Sequence, residues 1–293
     1  TDKVLPDENR MINGFTDYEE LTRTRRLIMR SYKLPGNRLR LLHPNENRGA
    51  VTIDEERDYH FRYVLEDNFG NRRTYQFIVK GKRQDIPEYK PEANEMLYWN
   101  RTNVIQKPGM ELVVPRYYVY EDVPLRTDMR GDSSHIAFDY ILDAGRTPIH
   151  SYCDLSIGLR HMPVADTTKY YIVQKAGKWR SSMGGKYANG WIKTRVRSLG
   201  TFSVDVDTIA PQITPIGQGG WRTSRNIRFR IKDMESGIGS YKVYIDGKFV
   251  LFGLKKGILV IQNPEKVKKG VSHKLEVTVT DQCGNMTRKE YKF

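Results

Sequence analysis

The chain has 293 residues, of which 38% are hydrophobic and 29% charged, and it carries a formal net charge of +14. That length allows about two domains, or three small β domains. No apolar run approaches the roughly 20 residues that span a bilayer. Two cysteines, Cys153 and Cys283, supply neither a disulfide framework nor a Cys-x-x-Cys zinc site. Tyr, Val, Ile and Phe are plentiful enough to expect folded β structure rather than disorder.

The charge excess is uneven. Residues 1–82 and 83–206 each carry a net +3, whereas residues 207–293 hold 16 Lys/Arg against 8 Asp/Glu. A basic last third favours anionic partners: wall polymers, lipid head groups or nucleic acid. The plainer reading is a solvated, lysine-rich surface.

The chain opens on "TDKVLPDENR", without an initiating Met or a signal peptide, and is expected to be a piece of something longer. In "FTDYEEL", Thr16 or Asp17 can cap a short helix with Glu19 and Glu20 in its first turn. "RRLIMRSY" reads as a strand, "LPGN" (34–37) as a turn, and "NRLRLL" as another short strand. Next comes a strand, turn and strand through "YVLEDNFGNRRTYQFIV", with the apolar face of the first strand alternating through Phe61, Tyr63 and Leu65 against Arg62, Val64 being the exception.

Residues 83–95 hold two prolines and many charges, the chemistry of a linker. From Met96, short strands alternate with turns rich in Gly, Pro, Asp and Ser, which suggests a sandwich or barrel. "DTIAP" (207–211) forms a second boundary, because Pro211 biases the residue before it toward extended backbone. Beyond it, Ile227, Phe229 and Ile231 alternate with Arg228, Arg230 and Lys232. Asp246-Gly247 marks a hairpin, and Leu275, Val277 and Val279 alternate with polar neighbours. The expected fold is all-β, in tandem immunoglobulin-like sandwiches: residues 1–82 (partial), 83–206 and 207–293.

The five-residue pattern Asp-x-x-Gly-Asn occurs twice, at Asp67, Gly70, Asn71 and at Asp281, Gly284, Asn285. The Asp can accept turn amides, Gly supplies positive φ, and Asn tolerates left-handed backbone. Calcium is the functional alternative, but it wants several carboxylates. Asp281 has no second acid nearby in sequence until Glu290, so the motif reads as architecture.

"DTIAPQI…IKDMESGIGSYKVYIDGKFV…HKLEVTVTDQCGN" resembles the bacterial immunoglobulin-like modules of surface and periplasmic proteins. The fuller series, from "DENRMINGFTDYEELTRTRRLIMRSYKLPGNRLRLL" through "DNFGN" to "GTFSVDVDTIAP", resembles the region C-terminal to the catalytic domain in lysostaphin-type (LytM-like) zinc metallopeptidases of Bacteroidota. The resemblance implies an exported, cell-envelope protein, periplasmic or on the outer surface. It implies peptidoglycan or another anionic envelope polymer as partner, and a zinc-holding catalytic domain upstream in the same polypeptide. It also implies that residues 1–82 are the second half of a domain begun upstream.

That family holds zinc through His-x-Gly-x-Asp and His-x-His. None of the six histidines here forms His-x-His. "HSYCD" sets His150 four residues before Asp154 but has Tyr152 where the family has Gly. No catalytic or metal site is therefore expected in this chain, and no cofactor. No phosphate loop, Gly-x-Ser-x-Gly elbow or nucleic-acid motif appears.

Two groups of residues could bind a ligand. Trp179, Tyr187 and Trp191, with Tyr117, Tyr118 and Tyr120, could stack on sugar rings or fill sandwich cores. Arg228, Arg230 and Lys232, with Lys255, Lys256, Lys266, Lys268 and Lys269, could rest on an anionic surface. The expected role is non-catalytic spacing, docking or substrate positioning in a peptidoglycan hydrolase. The alternative is an adhesin-like, glycan-binding surface protein.

Overall fold

The computed structural model describes residues 6–85, 92–143, 145 and 147–293. The middle of the expected 83–95 linker, residues 86–91, therefore lies outside the described residues. The chain forms two compact units, 1–92 and 93–293, and its architecture is all-β.

The first unit begins with α1 (Pro6–Met11) and α2 (Tyr18–Thr24). The Asp17 carboxylate accepts the Glu20 amide at 2.9 Å, the N-cap expected from the sequence. "LPGN" makes its turn through Asn37 N–H to Leu34 O, 3.0 Å. The two strands expected around it do not form. "RRLIMRSY" makes only an isolated bridge, Met29 to Thr16. "NRLRLL" is captured by side chains instead. Asn37 Nδ2 donates to Met11 O at 2.8 Å and Asn37 Oδ1 accepts Leu39 N–H at 3.1 Å, while Arg40 pairs with Glu8. Such local bonds compete with a strand ladder, and here they fold the segment over a small core of Met11, Phe15, Leu34 and Leu39.

Strands β1 (Asp58–Glu66) and β2 (Arg72–Lys80) form an antiparallel hairpin with Phe61 opposite Phe77 and Tyr63 opposite Tyr75. The expected alternation is present but not buried. Tyr63, Leu65 and Phe77 are 43%, 57% and 46% exposed, and Tyr59 is the only buried residue of the two strands. Among the described residues no second sheet covers this face. The rings stack on one another instead, Phe61 on Phe77 at 5.2 Å between centroids.

The second unit holds two cores. The first lies between two sheets drawn from β3 (Glu95–Leu97), β4 (Asn103–Lys107), β5 (Met110–Val114), β6 (Val123–Arg130), β7 (Asp139–Asp143), β8 (Cys153–Gly158), β9 (Tyr170–Ala176), β10 (Trp179–Ser182), β11 (Lys186–Ala188), β12 (Trp191–Val196) and β13 (Gly200–Val206). One sheet runs β10-β9-β13-β7-β6-β3 and the other β11-β12-β8-β5-β4. Leu97, Leu112, Leu125, Leu142, Leu155, Ile172 and Phe202 fill the space between them.

The second core lies between sheets β14-β15-β19-β18 and β17-β16-β20-β21. These are β14 (Gln212–Ile216), β15 (Arg228–Lys232), β16 (Ile238–Ile245), β17 (Lys248–Phe249), β18 (Phe252–Lys255), β19 (Ile258–Ile261), β20 (Lys274–Asp281) and β21 (Met286–Lys292). Phe229 and Ile231 point inward, as do Leu275, Val277 and Val279, as their period of two requires. Pro215 is tolerated because β14 is an edge strand. Asp246 and Gly247 both have positive φ, 50° and 76°, the geometry of a two-residue hairpin turn. A short helix, α3 (Trp221–Ser224), seats the buried Trp221 ring against Phe229 at 5.0 Å between centroids. Its Nε1–H donates to Ile216 O at 3.0 Å.

The two aromatic environments differ sharply. Phe229→Ala should lower the unfolding free energy by about 3–5 kcal/mol, whereas Phe77→Ala should cost less than about 1 kcal/mol. Denaturant titration of both variants measures this.

Candidate functional site

The two Asp-x-x-Gly-Asn turns are wired identically. Asp67 Oδ1 accepts the Phe69 and Asn71 amides at 2.8 and 3.0 Å, and Oδ2 accepts Asn71 Nδ2 at 2.7 Å. Asp281 Oδ1 accepts the Cys283 and Asn285 amides, both at 2.8 Å, and Oδ2 accepts Asn285 Nδ2 at 2.8 Å. Gly70 and Gly284 sit at φ 83° and 79°, where a side chain would be strained. The Asn71 side chain and the turn amides hold the Asp67 carboxyl below the usual carboxylate range.

Their surroundings differ. The first turn is exposed at a hairpin tip. In the second, Asp281 and Cys283 are buried and there is an additional partner: Asn285 Nδ2 also donates to Asp207 O at 3.0 Å. Asp207 is itself fully buried. Its Oδ2 accepts Ser236 N–H at 3.0 Å and Ser236 Oγ–H at 2.5 Å, and its Oδ1 accepts Ile209 N–H at 2.9 Å. The Asp207 amide donates to Lys169 O at 2.9 Å. The start of "DTIAP" is thus tied both to the first sandwich and to two loops of the second. Further bonds reinforce the seam: Lys169 Nζ to Cys283 O at 3.0 Å, and Thr287 Oγ1 to Pro211 O at 2.5 Å. Tyr171, Val173 and Cys283 form a small apolar cluster across it.

Asp207, Asp233 and Asp281 bring carboxylate oxygens within 4.8 Å of one another, a proximity the sequence separation conceals. Three carboxylates at that distance could approach a common hard cation. All three, however, already accept amide hydrogens. Asp233 Oδ2 takes those of Glu235 and Gly237 at 3.2 and 2.7 Å. Desolvation, together with the neighbouring Asp207 and Asp281 charges, raises the Asp233 carboxyl pKa despite these bonds. The arrangement is a hydrogen-bonded joint.

The histidines are dispersed. His150 is buried, its Nδ1 2.8 Å from Tyr120 Oη, while Asp154 lies exposed on β8. His273 is buried between two acceptors, Asp246 Oδ2 at 2.6 Å from Nδ1 and Lys268 O at 2.7 Å from Nε2. Both ring nitrogens therefore donate, which describes an imidazolium. Burial opposes that charge, but the Asp246 and Lys268 bonds outweigh it and raise the His273 pKa. Both cysteines are buried free thiols. Burial pushes Cys153 up to about 12 and Cys283 up to about 11, so neither is a nucleophile at neutral pH.

The aromatic candidates do not converge. Trp179 stands 82% exposed on the edge strand β10; as a core residue it would be buried. Tyr187 lies opposite the buried Ile192 on β11, whereas Trp191 lies opposite Gly158 on the other face of that sheet. Tyr120 is buried, and Tyr117 and Tyr118 are half-buried. The basic candidates gather in part. Arg228, Arg230 and Lys232 are exposed on one face of β15, and Lys255 joins the Arg230 row through Ile258. Lys256 sits in the adjoining turn at φ 50°. Lys266, Lys268 and Lys269 lie in a separate loop.

Residues 94–207, spanning the first sandwich of the second unit, match the family of Zu5-like domains. None of the curated proteins matches the chain. Among solved structures, the Endo-D glycoside hydrolase domain of Streptococcus pneumoniae R6 is 11% identical with a TM-score of 0.21, covering 61% of this chain. The polysaccharide lyase BACCELL_00875 is 9% identical with a TM-score of 0.20, covering 80%. The chain spans 38% of each of these proteins.

Asp207→Ala leaves the buried amide and hydroxyl of Ser236, and the Ile209 amide, without their acceptor. It should cost about 3 kcal/mol or more and loosen the joint, seen as faster amide exchange at Ser236 and Ile209. Asp67→Ala, at an exposed tip, should change stability far less. For His273, whose folded pKa is raised, the stabilisation is fully present below its unfolded value near 6.5. It is lost as pH rises through the higher folded value. Urea midpoints across that window should fall in the parent chain and stay flat in His273→Gln.

Proposed function

We propose that this chain is a non-catalytic positioning and docking region of a cell-envelope peptidoglycan hydrolase. The observation that carries the reading is the joint at Asp207. A fully buried carboxylate bonded to the linker and to a loop of the last sandwich fixes the direction in which that sandwich leaves the one before it. A spacer needs such a fixed joint in order to present a distant catalytic domain to a polymer at a set reach. The series of motifs from Asp7 to Pro211 supports the setting: exported, periplasmic or outer-surface, with a zinc-holding catalytic domain upstream in the same polypeptide. The basic face of β15 supports an anionic polymer as partner.

An adhesin-like, glycan-binding role is the second reading. One observation favours it: Trp179, exposed on an edge strand where an indole contributes nothing to a core.

Sedimentation with purified sacculi tests the proposal. The chain should co-sediment at low salt, release no muropeptides, and dissociate as ionic strength rises. Failure to sediment, together with binding to soluble host glycans, would favour the adhesin. Turnover of sacculi with about one zinc per chain would overturn both readings.

A further inference from the structure

The outer face of the sheet β11-β12-β8-β5-β4 carries a row of cations that the predicted basic group does not contain, beside one ring, Trp191, of the predicted aromatic group. Ile192 and Val196 point into the core, so Lys193 and Arg195 point out and are exposed, and Arg197, in the bend just after β12, is exposed and reaches the same Tyr152 ring as Arg195. Successive members of such a row stand about 6.7 Å apart along a strand. Lys186 on β11 lies directly opposite Lys193 and adds a fourth cation. None of the four is ion-paired among the described residues, although most cations elsewhere in this sandwich have a carboxylate partner: Lys107 with Glu95, Arg126 with Asp143, Lys175 with Asp139 and Arg180 with Asp205.

Aromatic rings close both ends of the row. Trp191 occupies the outer position before Lys193, and its indole lies over Gly158, with ring carbons 3.6 Å from where a Cβ would stand. A Cβ at 158 would stand in ordinary van der Waals contact with the ring. At the other end Tyr152 is half exposed, with the guanidinium carbons of Arg195 and Arg197 each 5.6 Å from its ring centroid, a cation–π distance. Beside the row runs an open groove of about 660 Å³ lined by Glu111, Asp154, Ser156, Lys186, Lys193 and Arg195.

We infer that this face binds a linear acidic polysaccharide, lying along β12 from Trp191 to Tyr152. Its carboxylates meet the cation row and its sugar faces rest on the two rings. Charge complementarity selects a polyanion. The groove chemistry then selects a sugar polymer over a nucleic acid. Asp154, Glu111 and Ser156 offer acceptors to the several hydroxyls that each sugar ring carries and that a DNA phosphate backbone lacks. The inference deepens the docking role above by giving it a site, and it does not depend on the identity of any upstream domain.

The probe is polygalacturonate, with neutral dextran and an oligo-dT strand as comparators, measured by affinity electrophoresis and titration calorimetry on the full chain. The parent chain should bind polygalacturonate and not dextran. Lys193→Ala/Arg195→Ala/Arg197→Ala should weaken binding by about tenfold or more, while Trp191→Ala should weaken it less. Arg195→Lys/Arg197→Lys, which keeps the charge, should retain most of the affinity and controls for folding. Substitution of Arg228, Arg230 and Lys232 by Ala should leave polygalacturonate binding unchanged. Parent-like binding by the triple Ala variant, or tighter binding of oligo-dT than of polygalacturonate, overturns the inference. Sacculus sedimentation of the same variants separates the two proposals. Retention of the triple variant on sacculi removes this site and leaves the positioning role. A parent chain that binds polygalacturonate but not sacculi keeps the site and removes the role.

Discussion

One buried carboxylate organises the second unit. Asp207 is fully inaccessible, yet its side chain accepts hydrogen bonds from Ser236, Ile209 and Asn285, and its backbone oxygen accepts another from Asn285. A charge taken out of water is costly unless its lone pairs are filled. Filling these brings three segments together, because the donors come from the linker, the loop after β15 and the turn after β20. The direction in which the last sandwich leaves the first is therefore written into the hydrogen-bond requirements of a single side chain.

This changes what the repeated turn means. At Asp67 the pattern closes a hairpin and does nothing more. At Asp281 the same internal wiring leaves the second hydrogen of the Asn285 amide free to reach Asp207. A motif that specifies a turn has thus acquired a contact between loops without changing its residues. The nearby Asp233 adds negative charge to the cluster, and the amides of Glu235 and Gly237 offset it.

The sequence is most legible where period and partner agree. In the last sandwich, Phe229 and Ile231, and Leu275, Val277 and Val279, each have a facing sheet, so alternation translates directly into burial. In the first unit the same alternation at Phe61, Tyr63 and Leu65 has no facing sheet among the described residues, and burial does not follow. Periodicity reports which side chains share a face but not whether anything covers it. "NRLRLL" failed as a strand for a different reason: Asn37 offers the backbone a competing set of bonds. The candidate site was less legible still. Trp191 and Tyr187 are four residues apart, yet the hairpin between β11 and β12 sends them to opposite faces. The cation row emerges only once Lys186 is paired across from Lys193 and Tyr152 is brought beside Arg195 and Arg197. These are register facts, and one sequence does not contain register.

The β1–β2 hairpin has a consequence for handling the protein. As a two-stranded sheet, it presents unpaired amides and carbonyls along both long edges as well as a stacked aromatic face. An edge of that kind is a template for self-association. What holds copies apart is the basic character of the same ribbon, with Arg62, Arg72, Arg73 and Lys80 exposed against Asp58 and Glu66. Salt shortens the reach of that repulsion, so the edge protection this ribbon has is electrostatic rather than steric.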